Sequence, residues 1–106
     1  MRRGEVYWSA LPEGLGRRPV VVLTRTTAIP VLTKIVVAPI TRTVRGIPTE
    51  VPVGDREGLR EDSVINLDDI NTVLKRWLDP DPVGALGPVT TRRLDATLRY
   101  ALEIRT

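Results

Sequence analysis

The sequence predicts a small, mainly β fold: an antiparallel barrel with one C-terminal α-helix, in a single domain spanning residues 1–106. Three observations carry this. Short apolar runs rich in Val and Ile recur through the first two thirds of the chain. Each is bounded by Gly, Pro, Asp or Thr, as strands are. Helical periodicity appears only after Pro88. A chain of 106 residues buries about two thirds of its unfolded surface, enough for one core.

The elements follow in order. Residues 4–10, GEVYWSA, form a first strand with Val6, Trp8 and Ala10 on one face and Tyr7 on the other. Residues 11–16 are a Pro/Gly loop. The second strand covers about 18–24, and its unbroken apolar run predicts burial on both faces or a tight barrel wall. A polar connection at 26–30, broken by Pro30, leads to a third strand at about 33–40. Pro39 removes a ladder donor, which predicts a bulge or an edge there. A turn at 44–47 precedes a fourth strand at 48–53, placed at an edge by its two prolines. A charged loop at 54–60, a fifth strand at 63–67, a turn at Asp68-Asp69 and a sixth strand at 71–77 come next. Residues 79–87 hold two Pro and two Gly and read as irregular. In the final segment Thr90 or Thr91 caps a helix. Leu94, Leu98 and Leu102, with Ala101 beside them, form its core face, and Asp95 pairs with Arg99 on the other. Six strands and one helix at this length give SH3-like proportions.

Composition narrows the chemistry. The chain has no Cys and no His, which removes disulfides, thiolate metal sites and the usual acid/base residue. No window is long enough to span a bilayer, and the first residues lack the apolar run of a signal peptide, so a cytoplasmic protein without a membrane partner is expected. Net charge is +3 and the pI about 9.9, which permits a nucleic-acid partner without requiring one. Lys34 and Lys75 are the only lysines, so the positive charge is almost entirely arginine. Arginine forks onto phosphate, although a GC-rich genome explains the same bias.

One constellation stands out. Arg17-Arg18 opens the second strand and Thr41-Arg42-Thr43 closes the third. Paired antiparallel, these strands bring two guanidinium groups and two hydroxyls to one end of a sheet, a setting for an oxyanion such as phosphate. The bland alternatives are a rim ion pair of Arg18 with Glu13 or Glu50, and a Thr41 hydroxyl bonded to its own backbone. Arg17, Arg42 and Arg45 suit flanking phosphates, or form a solvated charged rim. Trp8 is expected in the core and Trp77 in a dimer interface or against the helix, with base stacking as the alternative for both. Acidic clusters at Asp68-Asp69 and at Glu57, Glu61 and Asp62 read as turn chemistry rather than metal ligands.

These pieces together resemble the MazF/PemK/Kid toxins of type II toxin–antitoxin systems. The resemblance is carried by RGEVYW (3–8), RRPVVVL (17–23), VVAPIT (36–41), IPTEV (47–51) and REDSVINLDDINTV (60–73), in this order and nearly end to end. It implies an SH3-like barrel that forms a homodimer and works as a metal- and cofactor-independent endoribonuclease on single-stranded RNA. It implies a cognate MazE-like antitoxin whose disordered acidic tail blocks the RNA groove. It assigns catalysis to Arg18 and Thr41. It places substrate contacts on Ile47, Pro48, Thr49, Ser63 and Asn66, and on Glu13 in a first loop shorter than many members carry; the strand-end constellation adds Arg17, Arg42 and Thr43 as substrate contacts.

The implied chemistry is attack of a 2′-hydroxyl on the adjacent phosphate, giving a 2′,3′-cyclic phosphate and a 5′-hydroxyl, with Arg18 and Thr41 stabilising the added negative charge. The general base is open, because a guanidinium holds its proton past about pH 12. Arg18 itself, a phosphate oxygen or a carboxylate such as Glu13 are the alternatives. Two other functions fit a basic barrel: a CcdB-like toxin that grips a protein such as gyrase, and an SH3-like module that binds RNA and leaves it intact.

Overall fold

A computed structural model describes residues 1–10 and 16–105. The elements are β1 (Glu5–Ala10), β2 (Arg17–Val22), β3 (Lys34–Thr41), β4 (Glu50–Val53), β5 (Ser63–Asn66), β6 (Asn71–Leu74), β7 (Gly84–Ala85) and α1 (Pro88–Ala101). Every strand pairing is antiparallel, in the order β4-β5-β3-β2-β1-β7, with β6 also on β3. The sheet curls into a half-barrel around the apolar runs.

β3 is the centre. Val20↔Pro39 to Val22↔Val37 joins it to β2. On its other side β6 pairs along Lys34–Val37, and β5 takes over at Ile40 and Thr41. The predicted edge at Pro39 is therefore corrected. Pro39 stands where the β6 register has ended and the β5 register has not begun, so its missing N–H costs no ladder bond there. β4 lies at the sheet edge as expected, starting at Glu50, with Thr49, Val51 and Val53 buried and Pro52 outward.

Strand alternation divides the core in two. One cluster holds Val6, Val21, Ala38, Ile40, Val51, Ile65 and Leu94. The other holds Tyr7, Val20, Val22, Ile29, Ile35, Val37 and Leu78. Successive residues of β1, β2 and β3 thus feed opposite faces of one sheet, which is why their apolar runs are unbroken. Ile29 comes from a 3-10 segment, Thr26–Val31, where the sequence predicts a plain polar connection.

Several local expectations differ. The sixth strand ends at Leu74, and Lys75–Trp77 is a 3-10 turn. Within 79–87, β7 pairs Gly84 with Val6 and Ala85 with Glu5. The helix starts at Pro88 after Gly87, so neither Thr90 nor Thr91 caps it, and Pro88 takes the first-turn position where its absent N–H is harmless. Leu94 is fully buried, with Leu98 and Ala101 packed beside it, but Leu102 follows the last helical residue and is 51% exposed. Asp95 pairs with Arg3 at 2.7 Å, not with Arg99, while Arg3 Nε donates to the Leu23 carbonyl. This ties the chain start to the helix. Trp8 is not core; it shares a face with Val6 but stands 38% exposed beyond the cluster.

Two predictions follow from this packing. Gly58, in the left-handed region at φ 86°, and Gly84 lie against the backbone of Val83 and Glu57, respectively. A Cβ on Gly84 would overlap the Glu57 carbonyl, so Gly84→Ala is expected to cost about 2–3 kcal/mol in urea unfolding. Buried Tyr7 donates to Glu5 Oε1 at 3.0 Å. Burial first, then that bond and the negative charges of Glu5 and Asp81, push its phenol from 10.0 up to about 12. Its stabilising contribution is whole below about pH 10 and is lost as pH rises through about 12. Tyr7→Phe should flatten the fall of melting temperature across that window.

Candidate active site

The open end of the second cluster forms a groove of about 250 Å³. Its floor is Ser9, Val20, Val37, Pro39 and Val73, and its rim carries Arg18, Asp69, Asn71, Thr72 and Trp77. Strand parity explains the set. Ser9 and Arg18 are register partners across β1 and β2, on the face that carries Tyr7 and Val20. Asn71 pairs with Val37 and Val73 with Ile35, which brings β6 to the same face.

Arg18 is exposed, and among the described residues its guanidinium makes no hydrogen bond or ion pair. Glu50 is not its partner: that carboxylate accepts the backbone N–H groups of Arg45 at 3.1 Å and Gly46 at 2.9 Å. Glu13 lies outside the described residues. Thr41 has the parity of Val37 and Pro39, and Arg18 that of Val20, the register partner of Pro39, so the two lie on one face. Thr41 stands beyond the groove lining. Its Oγ1 accepts the Thr43 N–H at 3.1 Å, the backbone bond of the bland reading, which fixes the oxygen and leaves the hydroxyl proton to donate outward.

A site made of an unengaged arginine at the mouth of an apolar groove, with a strand-end threonine on the same face, suits a phosphodiester whose base enters the groove. A family model for the PemK-like, MazF-like toxins of type II toxin–antitoxin systems matches residues 2–102. The chain belongs to that family. The probable endoribonuclease MazF5 of Mycobacterium tuberculosis is 38% identical over 102 residues, covering 95% of this chain and 92% of its own. The solved structure of the M. tuberculosis toxin MazF-mt6 superposes with a TM-score of 0.88 at 34% identity, over 96% of this chain and 99% of that one. A mycobacterial endoribonuclease solved in complex with its cognate antitoxin gives 0.87 at 30% identity, over 100% and 98%.

In this MazF-like chain the other residues singled out from sequence are dispersed. Arg17 has the opposite parity to Arg18; it pairs with Asp79 and lies over the Trp8 ring, 5.9 Å from its centroid. The expected convergence of both guanidinium groups is therefore corrected: alternation sends the twin arginines to opposite faces. Arg42 pairs with Glu61 at 3.0 Å, both exposed. Ile47 and Pro48 are exposed in the loop shaped by Glu50. Thr49 is buried and donates to Asp68 at 2.6 Å, beside α1 rather than in the groove. Ser63 donates to the Glu61 carbonyl at 3.0 Å, and Asn66 Oδ1 accepts the Asp68 N–H at 3.0 Å, an Asx turn.

The groove adds residues that the sequence reading did not place there: Ser9, Asp69, Asn71 and Thr72. Trp77, expected in an interface or against the helix, lines it as well. Ser9 was within reach of inference, since it stands opposite Arg18 in a hairpin. The β6 residues were not, because nothing local shows which strand a strand will pair with. The placement of Thr49 generates a test. Thr49→Val should lower stability by about 1 kcal/mol, read by urea titration, and leave the activity of the Arg18 groove unchanged.

Proposed function

We propose that this MazF-family toxin is an endoribonuclease that cuts single-stranded RNA at the Arg18 groove without a metal ion, and that a cognate antitoxin restrains it. The observation that carries the reading is the exposed guanidinium of Arg18 at the groove mouth, without a partner among the described residues, with Thr41 on the same face. The relatives named as endoribonucleases and the relative solved with its antitoxin support the activity and the partner.

The steps follow from the residues. Arg18 grips the two non-bridging oxygens of the scissile phosphate. RNA supplies its own nucleophile, the neighbouring 2′-hydroxyl, so the protein's task is to hold it in line and to stabilise the charge that builds on phosphorus. The Thr41 hydroxyl donates one further bond to that charge. The 2′-oxygen bonds to phosphorus, the 5′-oxygen leaves and takes up a proton, and the products are a 2′,3′-cyclic phosphate and a 5′-hydroxyl. With no histidine in the chain, the 2′-hydroxyl proton passes to a phosphate oxygen or a carboxylate. Where a phosphate oxygen takes the proton, the enzyme forgoes a rate contribution of order 10²–10⁴ and is slow. A slow enzyme that cuts messenger RNA at short motifs still halts translation and growth. The active unit is a homodimer, and the antitoxin's acidic tail competes with RNA for Arg18 at the groove mouth.

The test is incubation of the purified chain with a long single-stranded RNA in EDTA, followed by end mapping. Discrete cuts with 5′-hydroxyl ends are expected. Arg18→Ala should lower the rate at least 10²-fold and Thr41→Val about tenfold or more, each with an unchanged melting temperature. RNA left intact by a folded, antitoxin-free chain across many sequences would sink the reading in favour of a protein-gripping toxin or a passive RNA binder.

A further inference from the structure

We propose that Trp77 is the stacking platform for a nucleobase next to the scissile phosphate, and that Asp69 on the same groove restricts that base to one bearing an exocyclic amine. This rests on the reading of the Arg18 groove as the site of RNA cleavage. The groove, at about 250 Å³, falls below the ~300–1,000 Å³ of sites for drug-sized ligands, and is the scale of one planar ring system.

Trp77 is 39% exposed, yet its backbone is held on both sides. Lys75 Nζ donates to the Ile29 carbonyl at 2.7 Å, and the Lys75 N–H to Thr33 at 3.0 Å. Leu78, the next residue, is buried in the second cluster and bridges to Ser9. An indole left open to solvent on an anchored turn, lining the same groove as an unengaged arginine, is built to meet a flat partner. Arg18 takes the phosphate while Trp77 takes the adjoining base.

Arg18, committed to the phosphate, donates, and the Ser9 and Thr72 hydroxyls both donate and accept; the one group on the groove that only accepts is the Asp69 carboxylate. Asn71 Nδ2 donates one hydrogen to the Asp69 carbonyl at 3.2 Å, which leaves its second N–H and its Oδ1 open. The Asp69 carboxylate has no hydrogen-bond or ion-pair partner among the described residues, whereas neighbouring Asp68 is engaged by Thr49. A lone carboxylate pairs with amine donors and repels carbonyl oxygens. Cytosine, adenine and guanine each present an amine; uracil presents two carbonyls and a single N–H.

The experiment cuts a randomised single-stranded RNA pool with the wild type, Trp77→Ala, Trp77→Phe and Asp69→Asn, and sequences the ends. Trp77→Ala should lose roughly 5- to 150-fold in kcat/KM, with most of it restored in Trp77→Phe. Asp69→Asn, which supplies a donor, should admit uracil at one position of the motif and leave the others unchanged. Wild-type rate and motif in Trp77→Ala, or an unchanged motif in Asp69→Asn, would overturn the proposal. Failure of the wild type to cut would overturn the nuclease reading alone. A binding arm then decides stacking independently. The chain has two tryptophans, so Trp8→Phe leaves Trp77 as the sole tryptophan, excited at a wavelength where tyrosine does not absorb. Its fluorescence should be quenched by non-cleavable 2′-deoxycytidine oligomers and much less by 2′-deoxyuridine oligomers. Equal quenching by both, or none, overturns the proposal.

Discussion

The fold depends on one constraint: β3 must satisfy its backbone with three partners at once. Eight residues, Lys34–Thr41, meet β2 along one side and share the other between β6 and β5. Buried N–H and C=O groups must be paired, so the two partners on the shared side can hand over only where a donor is missing or turned away. Pro39 sits at that handover. The curl of the sheet and the position of the groove follow from it. The floor at Val37 and Pro39 belongs to the same stretch where β6 leaves and β5 has yet to arrive.

The site draws its chemistry from alternation rather than from density of charge. Consecutive residues Arg17 and Arg18 stand back to back across the sheet. One is spent in a pairing with Asp79 over Trp8; the other has no partner among the described residues. Asp68 and Asp69 repeat the division, one bonded to Thr49 and the other lining the groove. A +3 chain thus concentrates an available cation and an available anion in one small concavity, each free to meet a complementary group on a nucleotide.

Much of this was legible in the sequence, and the failures share a cause. The β-branched runs at 20–22 and 35–40 are buried strands because both faces of the sheet are covered, a fact their unbroken hydrophobicity records. Alternation correctly grouped Val6 with Trp8. It did not show that this face runs past the end of the cluster, since periodicity reports orientation and not where the core stops. The helix start was signalled by Pro88, but the capping preference of Thr90 and Thr91 outweighed it. Asp95 pairs with Arg3, a partner far away in sequence that local spacing cannot reveal. β7 escaped notice because a two-residue strand containing glycine has no periodic signal and exists only where β1 offers an edge. The rim residues of β6 were hidden for the same reason: strand pairing is a property of the whole chain.

The loop after Thr41 owes its path to a single carboxylate. Glu50 receives backbone N–H groups from Arg45, Gly46 and, at 3.5 Å, Ile47, and those groups belong to the main chain whatever side chains the loop displays. Gly46, in the left-handed region at φ 71°, is the exception that must keep its identity. Side-chain changes elsewhere in the loop leave those main-chain bonds in place, so what the loop displays is uncoupled from the framework beneath it.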